Sequence, residues 1–488
     1  MTISSFSSSL DRKTKIIATL GPASESKAVL LDMLSAGVDA IRLNASHGAD
    51  PQDIQQKTAL IRACAKQTHK HVAIFLDLQG PKIRVGKFKD NKTVLQAGAT
   101  FVLTTDPVLG DSTRASVTYT GFANDVQPGE VLFVDDGKIE LRVESKKGSE
   151  VVCSVIRGGL ISNSKGINLP DTVITLSALT DKDKQDVKVA VDNQLDYVAL
   201  SFVSSGEDIR ELRQLLDTLG GTSIGILAKI ERQKAVDNLY DIVAQSDGVM
   251  VARGDLGVEI GLSHVPKVQK MIIRAANQHL KPVLVATQML ESMIQSETAT
   301  RAEVSDVANA IYDRCDAVML SGETAMGINP ANVIRTMVSI CEATDRHMAE
   351  LKRERGPKHI SFATNTVATS CCKAADWVAS ENDAKIIMAF TSSGNTPLIA
   401  SKLNPSIPII APTDSDGICQ KMSLYRGVTP ILLHKKYEHI HRWTDMIHLA
   451  IKDAKSLGIV GYGDKVVVIA GIPIGQSGIN SIRVVTVH

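Results

Sequence analysis

Eight short, almost wholly apolar runs recur between residues 13 and 320: Lys13–Thr19, Ala40–Leu43, Val72–Asp77, Tyr197–Phe202, Ile224–Ile230, Gly248–Ala252, Val283–Ala286 and Ala317–Leu320. Most are followed by a longer stretch with helical periodicity. A strand covered on both faces loses the alternation of polar and apolar side chains, so such runs belong to a parallel sheet sheathed by helices. Eight of them predict a closed (β/α)8 barrel, a fold that carries its chemistry at the C-terminal ends of its strands.

One connection breaks this rhythm. Roughly a hundred residues separate the third strand from the next helix, far more than a βα loop requires; that helix is expected over Asp181–Asn193. Within the connection the pattern becomes short alternating strands at Thr100–Thr104, Ser116–Thr120, Glu130–Val134, Ile139–Ser145 and Glu150–Ile156, with Asp136-Gly137 marking a hairpin. The reading is an inserted small β-barrel that leaves the C-terminal face of the main barrel and is placed to act as a lid. A helix from about Pro330 then leads to the charged stretch Leu351–Lys358, which reads as a boundary. Beyond it, strand-like runs at Lys385–Phe390, Ile407–Ala411, Val428–Leu433, Lys465–Gly471 and Arg483–Val487 alternate with helices in an open α/β sheet. The expected division is a tail over 1–12, the barrel over 13–82 and 178–350, the lid over 83–177 and a C-terminal domain over 351–488.

At 488 residues the chain exceeds what one core supports, which agrees with several domains. A formal net charge of +1 provides no field to attract nucleic acid or an anionic membrane, so small molecules are the expected partners. The seven cysteines form no CxxC pair and no zinc spacing, no apolar stretch is long enough to span a bilayer, and a cytoplasmic location is expected.

The strand ends are unusually polar. The second ends in Arg42-Leu43-Asn44-Ala45-Ser46-His47 and the third in Asp77-Leu78-Gln79-Gly80-Pro81-Lys82-Ile83-Arg84. The fourth ends in Ser201, the fifth supplies Lys229 and Glu231, the sixth Arg253, Gly254 and Asp255, the seventh Thr287 and Gln288, and the eighth Ser321, Gly322 and Glu323. Glu231 and Asp255, at neighbouring strand ends, suit Mg²⁺, a hard ion held by one or two carboxylates together with substrate oxygens. Arg42, Arg84 and Lys229 on the same face suit a phosphate, and Gly254 offers backbone N–H to a substrate carboxylate. In the C-terminal domain the hydroxyl-rich turn Thr391-Ser392-Ser393-Gly394-Asn395-Thr396 has the composition of a phosphate nest.

Together, KIIATLGPAS, IRLNASHG, LDLQGPKIR, SKGINLP, AKIE, DGVMVARGDLGVEI, ATQMLESM, TRAEVSDVANA and DAVMLSGETAMG closely resemble the motifs of the pyruvate kinase family, in the family's order and across essentially the whole chain. The resemblance implies a homotetramer that transfers a phosphoryl group from phosphoenolpyruvate to ADP. By position it implies catalytic roles for Lys229, Arg42 and Thr287 and substrate contacts from Arg42, Lys229, Gly254, Asp255, Thr287 and Ser201. It further implies Mg²⁺ on Glu231 and Asp255, and nucleotide phosphates near Asn44, His47, Arg84 and Lys165. A monovalent-cation site would use Asn44, Ser46, Asp77 and Leu78, and a phosphorylated activator would take the loop Thr391–Thr396.

Two positions depart from the family pattern. Lys82 stands where potassium-dependent members resemble one another in having Glu, so an ammonium is expected to replace K⁺ and make it dispensable. Ala299 precedes Thr300-Arg301 where Pro is usual. A Mg²⁺-dependent aldolase or lyase acting through an enolate is a second reading of the same barrel ends, and a catalytically silent metabolite sensor a third.

Overall fold

The computed structural model describes residues 12–45, 50–172, 174, 176–355, 361–433, 442–472 and 478–488. Lys15–Thr19, Ala40–Asn44, Ala73–Asp77, Tyr197–Leu200, Gly225–Ile230, Gly248–Ala252, Val283–Ala286 and Ala317–Leu320 form a closed parallel barrel in sequence order. The first strand meets the eighth with Lys15 opposite Ala317.

The strands divide their side chains by parity. Ile16, Ile41, Ile74, Val198, Ile226, Val249, Val285 and Val318 point outward and join the core beneath the helices. Ile17, Ala40, Phe75, Ala199, Leu227, Met250, Leu284 and Met319 fill the interior. Both faces are therefore buried, which is why the strands read as continuous apolar runs. Helices are seated by local chemistry as well: Thr180 and Asp183 make a reciprocal capping box on Asp181–Asp192, and Thr300 with Glu303 does the same for Arg301–Tyr312.

The interior cluster continues into the C-terminal domain through Met422, Leu424, Tyr425 and Val428, so that domain seals the N-terminal end of the barrel. Polar groups at this seam are paired, as buried charges require. Lys402 pairs with Asp316, Arg426 pairs with Asp345, and Lys15 Nζ donates to Val428 O at 2.8 Å. The helix Pro330–Arg355 runs on into the charged stretch expected to mark a boundary, and its Lys352 pairs with Asp376 at 2.9 Å. The C-terminal sheet has the order Val428–Leu432, Ile409–Thr413, Ile386–Ala389, Lys465–Ala470 and Ser481–Thr486, with only the last pair antiparallel.

Between the third and fourth barrel strands lie a six-stranded sheet and a two-stranded sheet around one core that includes Leu95, Phe101, Leu132, Leu141, Val151 and Ile161. The strand expected at Ser116–Thr120 is at Arg114–Ser116, and Lys92–Leu95, Gly159–Ser162 and Ile167–Asn168 were not anticipated. These are short, and two carry exposed apolar residues, Val94 and Leu160, that blur the alternation. The hairpin turn is left-handed at Asp135, Asp136 and Gly137. A Cβ built on Gly137 would lie 3.7 Å from Val258, and Asn168 Nδ2 donates to Glu259 Oε1 at 3.3 Å. The inserted domain thus leans on the short helix Arg253–Ile260 after strand six. Among the described residues no helix is long and apolar enough to cross a membrane.

Candidate active site

The inward parity of the barrel, followed two residues past its apolar layer, reaches Thr19, Arg42, Asp77, Ser201 and Lys229. One layer is hydrocarbon, and the next is hydrogen-bonded. Arg42 Nε donates to Asp77 Oδ2 at 2.8 Å, and Arg42 Nη1 donates to Thr19 Oγ1 at 3.3 Å. Lys229 Nζ donates to Ser201 Oγ at 2.7 Å and lies 3.3 Å from both Asp77 Oδ1 and Glu231 Oε2. Ser201 Oγ in turn donates to Leu78 O at 2.6 Å.

These groups set each other's charge. Burial works against the Lys229 ammonium, but Asp77, Glu231 and Asp255 outweigh it and hold its pKa above the ordinary lysine value. Burial likewise opposes the Asp77 carboxylate, and Lys229 and Arg42 overcome it, holding the pKa below the usual range. Glu231 is the exception: burial raises its pKa and the attraction of Lys229 does not cancel the effect. Its Oε1 accepts from Phe202 N at 2.7 Å, whereas Oε2 is buried and receives no hydrogen bond among the described residues.

That orphaned oxygen fits a metal ligand. Asp255, in the first turn of Arg253–Ile260, is the second carboxylate, and its Oδ1 lies 3.7 Å from Lys82 Nζ. No group of three or more His, Cys, Asp or Glu side chains placed to hold a metal ion occurs among the described residues. Two carboxylates that leave the remaining positions to substrate and water match Mg²⁺ rather than a structural metal cage. Arg42, Lys82 and Lys229 balance Asp77, Glu231 and Asp255 in charge, so a dication and a dianionic phosphate would enter together without a net charge change. Gly254 N donates to Thr287 Oγ1 at 2.9 Å, which joins the ends of strands six and seven.

The nucleotide-side positions are distributed differently. Arg84 and Lys165 are far apart in sequence, yet Arg84 is bridged to Gly166 and Val85 N donates to Lys165 O at 2.9 Å. They stand side by side where the inserted domain leaves and rejoins the barrel, with Lys165 Nζ 2.8 Å from Asp135. Asn44 ends strand two opposite Asp77. Ser46 and His47 lie outside the described residues. Of the positions expected to hold a monovalent cation, Asp77 is engaged by Arg42 and Lys229, and Leu78 O by Ser201. Lys82 reaches Asp255 rather than Asp77.

In the C-terminal domain, Thr391 Oγ1 accepts from Gly394 N at 2.8 Å and from Ser393 N at 3.3 Å. Gly394, left-handed at φ 86°, is the N-cap of Asn395–Lys402. Sequence reasoning missed Thr19 and the pairing of Lys82 with Asp255. The two-residue parity alone would have found Thr19.

The family described as "Pyruvate kinase, barrel domain" matches residues 11–334, and "Pyruvate kinase, alpha/beta domain" matches residues 369–485. Among curated relatives, a pyruvate kinase of Clostridium perfringens is 40% identical, the alignment covering 96% of this chain and 98% of that one. One of Corynebacterium glutamicum is 41% identical, with 96% of each covered. A crystal structure of a pyruvate kinase from Cryptosporidium parvum superposes with a TM-score of 0.89 at 35% identity, covering 98% of this chain and 97% of that one. The chain is a phosphotransferase and belongs to the pyruvate kinase family.

Proposed function

We propose that the chain catalyses Mg²⁺-dependent phosphoryl transfer from phosphoenolpyruvate to ADP, giving pyruvate and ATP. The P–O bond to the enol oxygen breaks, a bond to the β-phosphate oxygen of ADP forms, and the released enolate takes a proton at its terminal carbon. The observation that carries this reading is Lys229: a partly buried ammonium fixed by Ser201, Asp77 and Glu231 at the mouth of the barrel. A fixed charge that need not reorganise is what a transferring phosphoryl group requires.

In this reading Arg42 and Lys229 grip the phosphoryl group, and Ser201 orients the ammonium. Gly254 and Thr287 receive the carboxylate end of the substrate, beside Asp255. Glu231 and Asp255 would hold Mg²⁺, which when bound neutralises phosphoryl oxygens. His47, outside the described residues, is assigned to the nucleotide phosphates by its place in the sequence alone, and Asn44, Arg84 and Lys165 face them. This is supported by the pairing of Arg84 with Gly166 at the root of the inserted domain, which brings two cations to one edge. The inserted domain closes over the site.

K⁺ is dispensable in this proposal: Lys82 brings a positive charge to the barrel mouth at Asp255, and Asp77, one of the expected cation positions, is already paired with Arg42 and Lys229. The loop Thr391–Thr396 takes a phosphorylated metabolite as activator, supported by its hydroxyls and by the helix that starts at Asn395. A cytoplasmic homotetramer completes the proposal, with exposed Leu262, Met326 and Ile328 on the barrel and Trp377 and Tyr462 on the C-terminal domain as apolar surface for association. Formation of pyruvate and ATP from phosphoenolpyruvate, ADP and Mg²⁺ by the purified chain tests the reaction.

A further inference from the structure

Arg253, the first residue of the helix after strand six, is spent entirely on protein groups. Its side chain is only 10% exposed. Nη2 donates to Thr287 O at 2.7 Å and to Gln288 O at 3.1 Å, Nε donates to Thr287 O at 3.2 Å, and Nη1 donates to Asp306 Oδ2 at 2.7 Å. Asp306 lies on the helix Arg301–Tyr312, which follows strand seven. One guanidinium therefore ties the end of strand six to the backbone leaving strand seven and to the helix behind it.

The backbone it grips is strained. Thr287 and Gln288 are both left-handed, at φ 74° and φ 53°. A β-branched side chain is a poor occupant of that region, and such a residue persists only where its surroundings hold it. Arg253 contacts both carbonyls of this turn, and its planar fork matches two acceptors in a way that a lysine point charge does not. The result of the strain is visible at the site, since Thr287 Oγ1 accepts from Gly254 N at 2.9 Å.

We infer that Arg253 is a positioning residue: it locks the left-handed Thr287–Gln288 turn so that the Thr287 hydroxyl stands at Gly254, next to the substrate. This rests on the reading of Thr287 as a substrate contact. Arg42, Lys82, Lys165 and Lys229 face Asp77, Glu231, Asp255 or Asp135, Arg84 donates to Ser164 O at 3.1 Å, and among these described cations Arg253 alone engages this turn.

The test is a rescue experiment on the full chain in the phosphoenolpyruvate and ADP assay. Arg253→Lys keeps the charge and loses the fork, and kcat is expected to fall by about tenfold to a hundredfold, with KM for ADP little changed. Thr287→Ser keeps the hydroxyl and sheds the branch, so Arg253→Lys/Thr287→Ser is expected to recover most of the lost kcat. Wild-type kcat in Arg253→Lys, or no recovery in the double variant, would overturn the inference. If Arg253→Lys does not fold, Asp306→Asn loosens the same clamp from its exposed side. A smaller loss of kcat relieved by Thr287→Ser is then expected, and no loss would overturn it. Full turnover in Thr287→Ala would instead remove the substrate contact on which the inference rests.

Discussion

Lys229 Nζ lies 3.3 Å from Glu231 Oε2, a buried carboxylate oxygen to which no described residue donates a hydrogen bond. The charge is paired, but a buried oxygen that receives no hydrogen bond is costly, and it persists where function employs it. The pair explains why two acids at neighbouring strand ends are not simply salt-bridge partners. One cation is shared by Asp77 and Glu231, and this leaves acceptor capacity facing the site.

Mg²⁺ is therefore expected to raise the melting temperature of the parent protein. A ligand present at a hundred times its Kd adds about 2.7 kcal/mol of stability. In Glu231→Gln that increment should be largely lost, because the amide cannot supply an anionic oxygen. A thermal-shift titration with MgCl₂ reads both, and an undiminished shift in the variant would contradict the assignment.

Lys82 bears on monovalent cations. Its ammonium lies 3.7 Å from Asp255, and Asp77 is already paired with Arg42 and Lys229. Activity in buffer free of K⁺ and Na⁺ is expected to remain within about tenfold of that in K⁺, or roughly 1.4 kcal/mol of barrier. A larger fall would show that Lys82 does not stand in for the ion.

The seam beneath the barrel makes stability depend on pH. Burial, with Arg426 nearby, pushes the Lys13 ammonium down to about 7, and its Nζ donates to Pro405 O at 2.7 Å. In the unfolded chain lysine titrates near about 10.4, so between these values the unfolded chain holds a proton that the folded chain has released. Stability should accordingly rise as pH increases from about 7 to about 10, while below about 7 the cost of burying the charge is fully present. Lys13→Met should flatten that rise. Urea midpoints of both proteins across the window decide it, and identical slopes would contradict the prediction.

In the C-terminal domain, Thr391 Oγ1 holds the amides of Ser393 and Gly394 in one turn. Replacing Thr391 and Ser393 with Ala is expected to abolish activation by phosphorylated metabolites while the unactivated rate survives. Intact activation by every effector tested would place the site elsewhere.

Much of this was legible because the barrel buries both faces of its strands. Continuous apolar runs located all eight strands, and polar residues at their ends located Lys229, Glu231 and Asp255. What escaped depends on distance along the chain. Lys402 meets Asp316 and Arg426 meets Asp345 across more than eighty residues, with no periodicity to announce the pairing. The exposed edge strands Lys92–Leu95 and Gly159–Ser162 lack an alternating face strong enough to read. Arg253 looked like one more cation at a strand end, and only the left-handed Thr287 shows what it holds.

The most direct measurement is a coupled assay for pyruvate and ATP from phosphoenolpyruvate, ADP and Mg²⁺, run on the parent and on Lys229→Met. The parent is expected to turn over. The variant is expected to lose at least about a hundredfold to a thousandfold in kcat while still binding phosphoenolpyruvate, because the lost charge acts mainly in the transition state. A parent that makes no ATP, or a variant that keeps turnover within about tenfold of it, would contradict the central role given to Lys229.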